Sequence, residues 1–342
     1  MICDFVKAAF LSAILPRDCL VEVLKGHLEV GRWLFSPEFS GRVAIRKIAE
    51  QVARHRPDSV ALLPRYICNV VPMAVEAGGQ GVVFYDTDEN FLPDEDQLIS
   101  LIAAHEVALC ILCPLYGSDG GASFLKSRRF VSALRRSDSL VVVDACQNLD
   151  FMREQIGAND VGYDHVLYVC SFNDKNIPGL MGGGVVGRPQ YIERYIRMSG
   201  RSPGFRMFLY GLKKYVRYSL ARLPGLSRIV WGSAGRASGY EFTRGGKFPY
   251  QLKYYQPTKL QLAMACVGVQ KLALYRKRQA AFLDSHVNSF LSLPYVKTAS
   301  HIVWTASEVP RNRKIKPPYA LHGNLNESVR PELLILANAG YE

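Results

Sequence analysis

Short apolar blocks recur along the first half of the chain, and between them apolar positions repeat at helical spacing. Ser59 to Leu63, Gly81 to Tyr85, Val107 to Leu115, Ser139 to Val143, His165 to Cys170 and Gly183 to Gly187 are such blocks. Each is short, and most are bounded by Pro, Gly or Asp, as expected of strands buried on both faces. The intervening stretches read as helices. One opens at Ser40, a plausible N-cap, with Val43, Ala44, Ile48 and Val52 on one stripe. Val70 to Ala77 is closed by Gly78-Gly79, Asp94 to Ala104 carries acids in its first turn, and Ser123 to Arg136 follows.

From Ser40 onward strand and helix alternate over about 150 residues without an obvious break. The pattern predicts an α/β fold with a mainly parallel, doubly covered sheet. In such sheets the ligand crevice lies beyond the carboxyl ends of the strands. Tyr116, Asp144 and Ser171 stand at those ends. Residues 1–34 read as an N-terminal helical arm, 35–250 as the large domain, and 251–342 as a long helix with a shortened C-terminal domain. The long helix is expected over Thr258–Leu283, with Leu260, Ala263, Val267, Leu272 and Tyr275 on its apolar side. Beyond it a strand is expected at His301–Thr305 and a helix at Pro331–Ala337.

Charge changes this picture locally. The formal net charge is +12. Between Arg188 and Arg228 there are ten Lys or Arg against one acid, Glu193. Within the insert at 188–231 these cations alternate with aromatics such as Tyr191, Tyr195, Phe205 and Tyr210. Such a surface suits phosphate-bearing partners or a weak electrostatic contact with an anionic membrane, while sequence-specific nucleic-acid binding is not expected. The eight cysteines have no framework spacing. Cys110 and Cys113 form a CxxC inside an apolar block, where alternation sends them to opposite faces. No metal set is completed, and reduced thiols in a cytoplasmic protein are the expectation. The uncharged run Ala8–Leu15 is too short to span a bilayer.

The candidate chemistry gathers at the strand ends. Asp144 follows Leu140–Val143, with Gln147 three residues on. Ser171 ends the next strand and Lys175 follows by four. Gly182-Gly183-Gly184 lets backbone pass close to a bulky group. Ser40-Gly41-Arg42 opens a helix whose N-terminus suits a phosphate. Pyridoxal 5′-phosphate (PLP) chemistry needs this set: a nucleophilic lysine, a carboxylate at the pyridine nitrogen, a phosphate seat, and a partner for the ring 3-oxygen.

The order of motifs resembles the DegT/StrS-type sugar aminotransferases, PLP enzymes of fold type I. Ser40-Gly41-Arg42-Val43-Ala44-Ile45 is similar to that family's helix start, and Leu63-Pro64-Arg65-Tyr66-Ile67-Cys68 to its Pro-x-Tyr-Thr segment. Ala77-Gly78-Gly79-Gln80 with Val83-Phe84-Tyr85-Asp86, then Pro114-Leu115-Tyr116-Gly117, follow the family's order. So do Asp144-Ala145-Cys146-Gln147, Ser171-Phe172 with Lys175 and Gly182-Gly183, and Pro257-Thr258-Lys259-Leu260. The resemblance covers about residues 35–285. It implies amino transfer, from a donor such as glutamate, to a nucleotide-linked keto-sugar of surface-polysaccharide or secondary-metabolite biosynthesis, by a homodimer. By position, Lys175 would be the Schiff-base lysine and Asp144 the partner of the ring nitrogen. Gln147 would meet the 3-oxygen, Ser171, Gly41 and Arg42 the phosphate, and Cys68 the place of a ring-stacking aromatic.

Three departures support an alternative. Two residues, Asn173 and Asp174, separate the Ser-Phe pair from Lys175 where the family has three. Lys253-Tyr254-Tyr255-Gln256 replaces a Gly-x-Asn-x-Arg, and the region beyond the long helix is short. The alternative keeps the fold with weakened catalysis, leaving a sugar-nucleotide-binding or scaffolding role.

Overall fold

The computed structural model describes residues 2–68, 70–88, 91–115, 118–158, 162–172, 177, 180, 182–196, 212, 216, 254–274, 276–277, 295–297, 302–305, 315–316 and 333–336. Seven strands form the main sheet in the order β1-β7-β6-β5-β4-β2-β3. They are β1 (Leu34–Glu38), β2 (Val60–Pro64), β3 (Gly81–Tyr85), β4 (Val107–Leu112), β5 (Leu140–Asp144), β6 (Val166–Ser171) and β7 (Gly183–Gly187). Neighbours among β2 to β6 pair in parallel, whereas β7 is antiparallel to both β6 and β1.

Helices cover both faces, and the strand alternation decides which residue meets which layer. Cys110, Val141, Val143 and Tyr168 belong to one apolar cluster, shared with Leu20, Leu24, Leu98, Phe130 and Met152. Leu109, Ile111, Val142 and Val169 belong to the other, shared with Ile45, Ile48, Val71 and Ile192. The first layer holds α1 (Ile2–Ile14), α2 (Arg17–Leu28), α5 (Glu95–Ala104), α6 (Arg128–Ser137), α7 (Leu149–Ala158) and α9 (Lys259–Gln270). The second holds α3 (Gly41–His55), α4 (Val70–Ala77) and α8 (Pro189–Tyr195). Cys110 and Cys113 fall in different clusters, as alternation requires.

Local signals set most of these boundaries. The Ser40 hydroxyl accepts from the Val43 N–H at 3.4 Å, which starts α3. Asp94 accepts from the Gln97 N–H at 2.8 Å and starts α5. Thr258 and Gln261 form a reciprocal capping box that starts α9. The arm is helical as expected, in two pieces broken at Pro16.

Several expectations need correction. The helix expected over Ser123–Arg136 divides into a 3₁₀ turn (Ala122–Lys126) and α6. Strand β4 stops at Leu112, before Pro114. Strand β1 and helix α7 are additions to the elements that the sequence pattern predicts. The helix expected at Pro331–Ala337 is instead a strand, β11 (Leu333–Leu336). Its four consecutive apolar residues carry no period, so pairing decides. Strand β11 lies between β10 (Ile315–Lys316) and β9 (Ile302–Thr305) in a second, antiparallel sheet completed by β8 (Tyr295–Lys297).

The long helix also differs. It is interrupted at Lys271, and α9 is buried continuously from Gln261 to Val269 rather than along one stripe. The reason is a further layer: α1 and α2 lie across its outer side. Cys266 Sγ meets the Leu20 carbonyl at 3.4 Å, Lys7 Nζ donates to Gln270 Oε1 at 3.1 Å, and Lys271 pairs with Asp4. An all-apolar circumference is what a helix enclosed on every side requires. Most of the basic insert, from 197 onward, lies outside the described residues.

Candidate active site

The carboxyl edge of the sheet brings four of the expected residues together. Asp144 is the last residue of β5, paired with Val169 of β6, and is 5% exposed. Its Oδ1 accepts from the Cys146 N–H at 3.1 Å, which ties the carboxylate to the turn that follows it. Cys113, just beyond β4, places Sγ 3.9 Å from Asp144 Oδ2. Gln147 stands on the same turn and is buried. The turn closes with the Asn148 N–H donating to the Ala145 carbonyl at 3.0 Å, and α7 begins.

Helix α3 starts against this group. A Cβ on Gly41 would lie 2.3 Å from Cys146 Sγ, which shows how close the turn after Asp144 comes to the helix start. A Cβ on Gly183 would lie 2.7 Å from the Gly41 N and 2.5 Å from the Cys170 carbonyl oxygen. Ser171, last in β6, pairs with Gly183 across the sheet. The α3 N-terminus, the turn bearing Asp144, the end of β6 and the start of β7 therefore meet at one place. A helix N-terminus there favours an anion, and Arg42, half-buried in its first turn, adds positive charge nearby. A buried carboxylate within a residue or two of an anion seat can hold a protonated ring nitrogen while the ring's phosphate sits on the helix.

Other expected residues are placed differently. Cys68 lies beyond β2, where its carbonyl accepts from the Val71 N–H at 2.9 Å. It shares the edge with Asp144, but β4 separates their strands. Lys175 and Tyr116 lie outside the described residues. Phe172 and Gly182, which flank the lysine segment, are joined by a 2.9 Å hydrogen bond from the Phe172 N–H to the Gly182 carbonyl.

The sequence marks Cys113 and Cys146 only as ordinary thiols, whereas both touch this group. Their position after β4 and β5 is the available signal. Cys170, one residue before Ser171, is buried, and its thiol is pushed up to about 12, chiefly by desolvation. It is therefore protonated at neutral pH and no nucleophile. Among the described residues no cluster of His, Cys, Asp and Glu could hold a metal ion.

A second charged group lies one to two turns along α3. Glu38, at the end of β1, receives both 2.9 Å hydrogen bonds of Lys47 Nζ, and the two side chains are 3% and 8% exposed. Burial raises the Glu38 carboxyl above its usual range, although Lys47 and then Arg17 oppose the shift. Tyr254 covers the pair, its ring 4.7 Å from the Arg46 guanidinium and 5.7 Å from Lys47 Nζ. Tyr255 meets Phe39 edge-on at 5.5 Å. The segment that departs from the Gly-x-Asn-x-Arg pattern thus packs its two aromatics on α3 and on the end of β1.

No protein-family model matches the sequence, and no curated protein matches it. Solved structures do match the fold. The histidinol-phosphate aminotransferase of Clostridium acetobutylicum superposes with a TM-score of 0.58 at 9% identity, over 99% of this chain and 91% of that one. The C–S lyase of Staphylococcus hominis, solved with PLP bound, gives 0.53 at 11% identity over 94% and 74%. DesV of S. venezuelae gives 0.50 at 13% identity over 86% and 70%. With the strand order, the single reversed strand and the helix start at the sheet's carboxyl edge, these likenesses establish that the chain has the fold type I architecture of the PLP-dependent transferases.

Proposed function

We propose that the chain is a PLP-dependent aminotransferase that moves an amino group, from a donor such as glutamate, onto a nucleotide-linked keto-sugar. The observation that carries the PLP reading is the placement of Asp144, buried at the end of β5 beside the start of α3. When bound, PLP supplies an electron sink that stabilises negative charge on the substrate's α-carbon. Asp144 would keep the ring nitrogen protonated, and its tether to the Cys146 N–H holds the carboxylate in place. Gly41, Arg42 and Ser171 would receive the phosphate, and Gln147 the 3-oxygen. Lys175 Nζ would hold the cofactor aldehyde and, once released, carry the proton to and from the substrate carbon. The sugar-nucleotide substrate and the homodimer rest on the ordered motifs that resemble the DegT/StrS-type enzymes. The basic residues from Arg188 onward suit a diphosphate.

Borohydride reduction of PLP-loaded protein, followed by peptide mass spectrometry, tests the lysine. The adduct is expected on the peptide holding Lys175, and an adduct elsewhere or none defeats the reading. Loss of the yellow colour on adding glutamate, and its return with a nucleotide-linked keto-sugar, tests the transfer. Colour that does not respond to any amino donor would instead support a binding role.

A further inference from the structure

Helix α1 is apolar on two sides, and one of them faces outward. Helix α1 turns Ala8 inward onto the α9 layer, and Asp4, its only acid, is inward as well and paired with Lys271. Its outward side carries Val6, Phe10 and Ile14 at successive four-residue intervals, 59%, 63% and 55% exposed. Cys3 and Ala13 lie on the same outward side. Isolated exposed apolar residues are ordinary, but an unbroken ridge on the outermost layer is not.

Lys7 is the only exposed charge on α1. The contacts of Asp4 with Lys271 and of Lys7 with Gln270 set the start of α1 beside the end of α9, where Leu274, 45% exposed, and the exposed Lys277 continue the surface. The ridge is also small. Its three large side chains are each little more than half exposed and present far less surface than a dimer interface needs. A stable dimer buries about 800 Å² on each partner. Bulky apolar tips with lysines at their level suit shallow entry into a lipid headgroup layer, where the lysine stems reach back to anionic phosphates. Among the described residues no helix is long and apolar enough to cross a membrane, so the contact would lie on the surface.

We propose that the outward face of α1 is a membrane-surface contact, with Val6, Phe10 and Ile14 entering the interface of an anionic bilayer and Lys7 and Lys277 facing its headgroups. The inference is independent of the catalytic reading.

Flotation of the full chain with phosphatidylcholine vesicles, with and without about one-quarter phosphatidylglycerol, tests it. At roughly 0.15 M salt, where charges farther apart than about 8 Å are screened, the chain should float with the anionic vesicles. Val6→Ser/Phe10→Ser/Ile14→Ser should reduce the floated fraction at least fivefold with an unchanged melting temperature. Phe10→Trp provides a second readout, because the emission it adds to that of the parent should be quenched by lipids brominated along the acyl chain. The proposal is overturned if the chain floats with neither vesicle, if the triple variant floats as well as the parent, or if the emission added by Phe10→Trp is unquenched. Binding that depends only on the basic insert would leave the triple variant unaffected and so counts against it. A self-association lost in the triple variant, without vesicle binding, would assign the ridge to a second copy and also overturn it.

Discussion

Replacing Lys47 with methionine should destabilise the protein by about 3–5 kcal/mol, the range for removing one partner of a buried ion pair. The structure shows why the loss is large although the pair itself contributes little. At 2.9 Å the two charges attract by about 6 kcal/mol at an effective dielectric of about 20. Taking each from water costs several kcal/mol, so attraction and desolvation nearly cancel. Burial raises the Glu38 carboxyl against the opposing Lys47 and Arg17, the direction expected when desolvation is the larger cause. Lys47→Met removes the attraction and leaves the buried carboxylate. Glu38→Gln together with Lys47→Met removes both costs, and should lie within about 1 kcal/mol of the parent. The assay is urea unfolding of the parent, both single variants and the double, read as a double-mutant cycle. The sign of the pH dependence follows from the same shift. An acid whose carboxyl is raised on folding adds stability below its unfolded value, near 4.5, and loses it as pH rises through the folded value. Lys47→Met should therefore be least destabilising near pH 4. A loss under 1 kcal/mol in Lys47→Met at pH 7, or a double variant as unstable as the two singles summed, would refute this reasoning.

Three further outcomes are expected. Gly183→Ala should weaken PLP binding at least tenfold, seen by absorbance titration, because its Cβ would meet the Cys170 carbonyl oxygen at 2.5 Å and the Gly41 N at 2.7 Å, both backbone atoms, and push β7 from the start of α3. His165 is buried, with Nε2 3.0 Å from the Tyr195 hydroxyl, and burial lowers its affinity for a proton against the opposing pull of Asp138. A depressed histidine adds stability above its unfolded value, near 6.5, and that stability falls away as pH drops below it; in His165→Gln the urea midpoint should change less over that acid range. Thr258→Ala should cost about 1 kcal/mol by urea unfolding, through loss of the capping box that starts α9.

Much of the sheet could be read from the chain because its strands are buried on both faces and therefore appear as uninterrupted apolar blocks. Strand β5 and helix α4 (Val70–Ala77) follow their sequence patterns almost to the residue. Strand β1 is hidden because Leu34-Phe35-Ser36-Pro37-Glu38 mixes polar residues and a proline, and its pairing with β7 comes from far along the chain. Strand β11 is hidden because a four-residue apolar block has no period to distinguish helix from strand. At the site, Asp144, Gly41 and Ser171 are legible since strand ends and a helix start place them. The contacts of Cys113 and Cys146 are not, because they depend on which strands become neighbours. Burial of α9 on all sides is likewise invisible, as its outer cover is supplied by residues more than 240 positions earlier.

The reversed direction of β7 bears on the spacing of the lysine segment. Because β7 runs back along β6, Ser171 faces Gly183, and Phe172 is bonded to Gly182. Residues 172 and 182 therefore stand at adjoining points of the sheet, and the chain is anchored between them as well. Ile177 is fully buried against Gly268 of α9, and the Leu180 carbonyl accepts from Gln261 Nε2 at 3.0 Å. One residue more or fewer before Ile177 would change loop-closure entropy by only tenths of a kcal/mol, about what loop-length scaling gives, and would leave those anchors and the strand register in place.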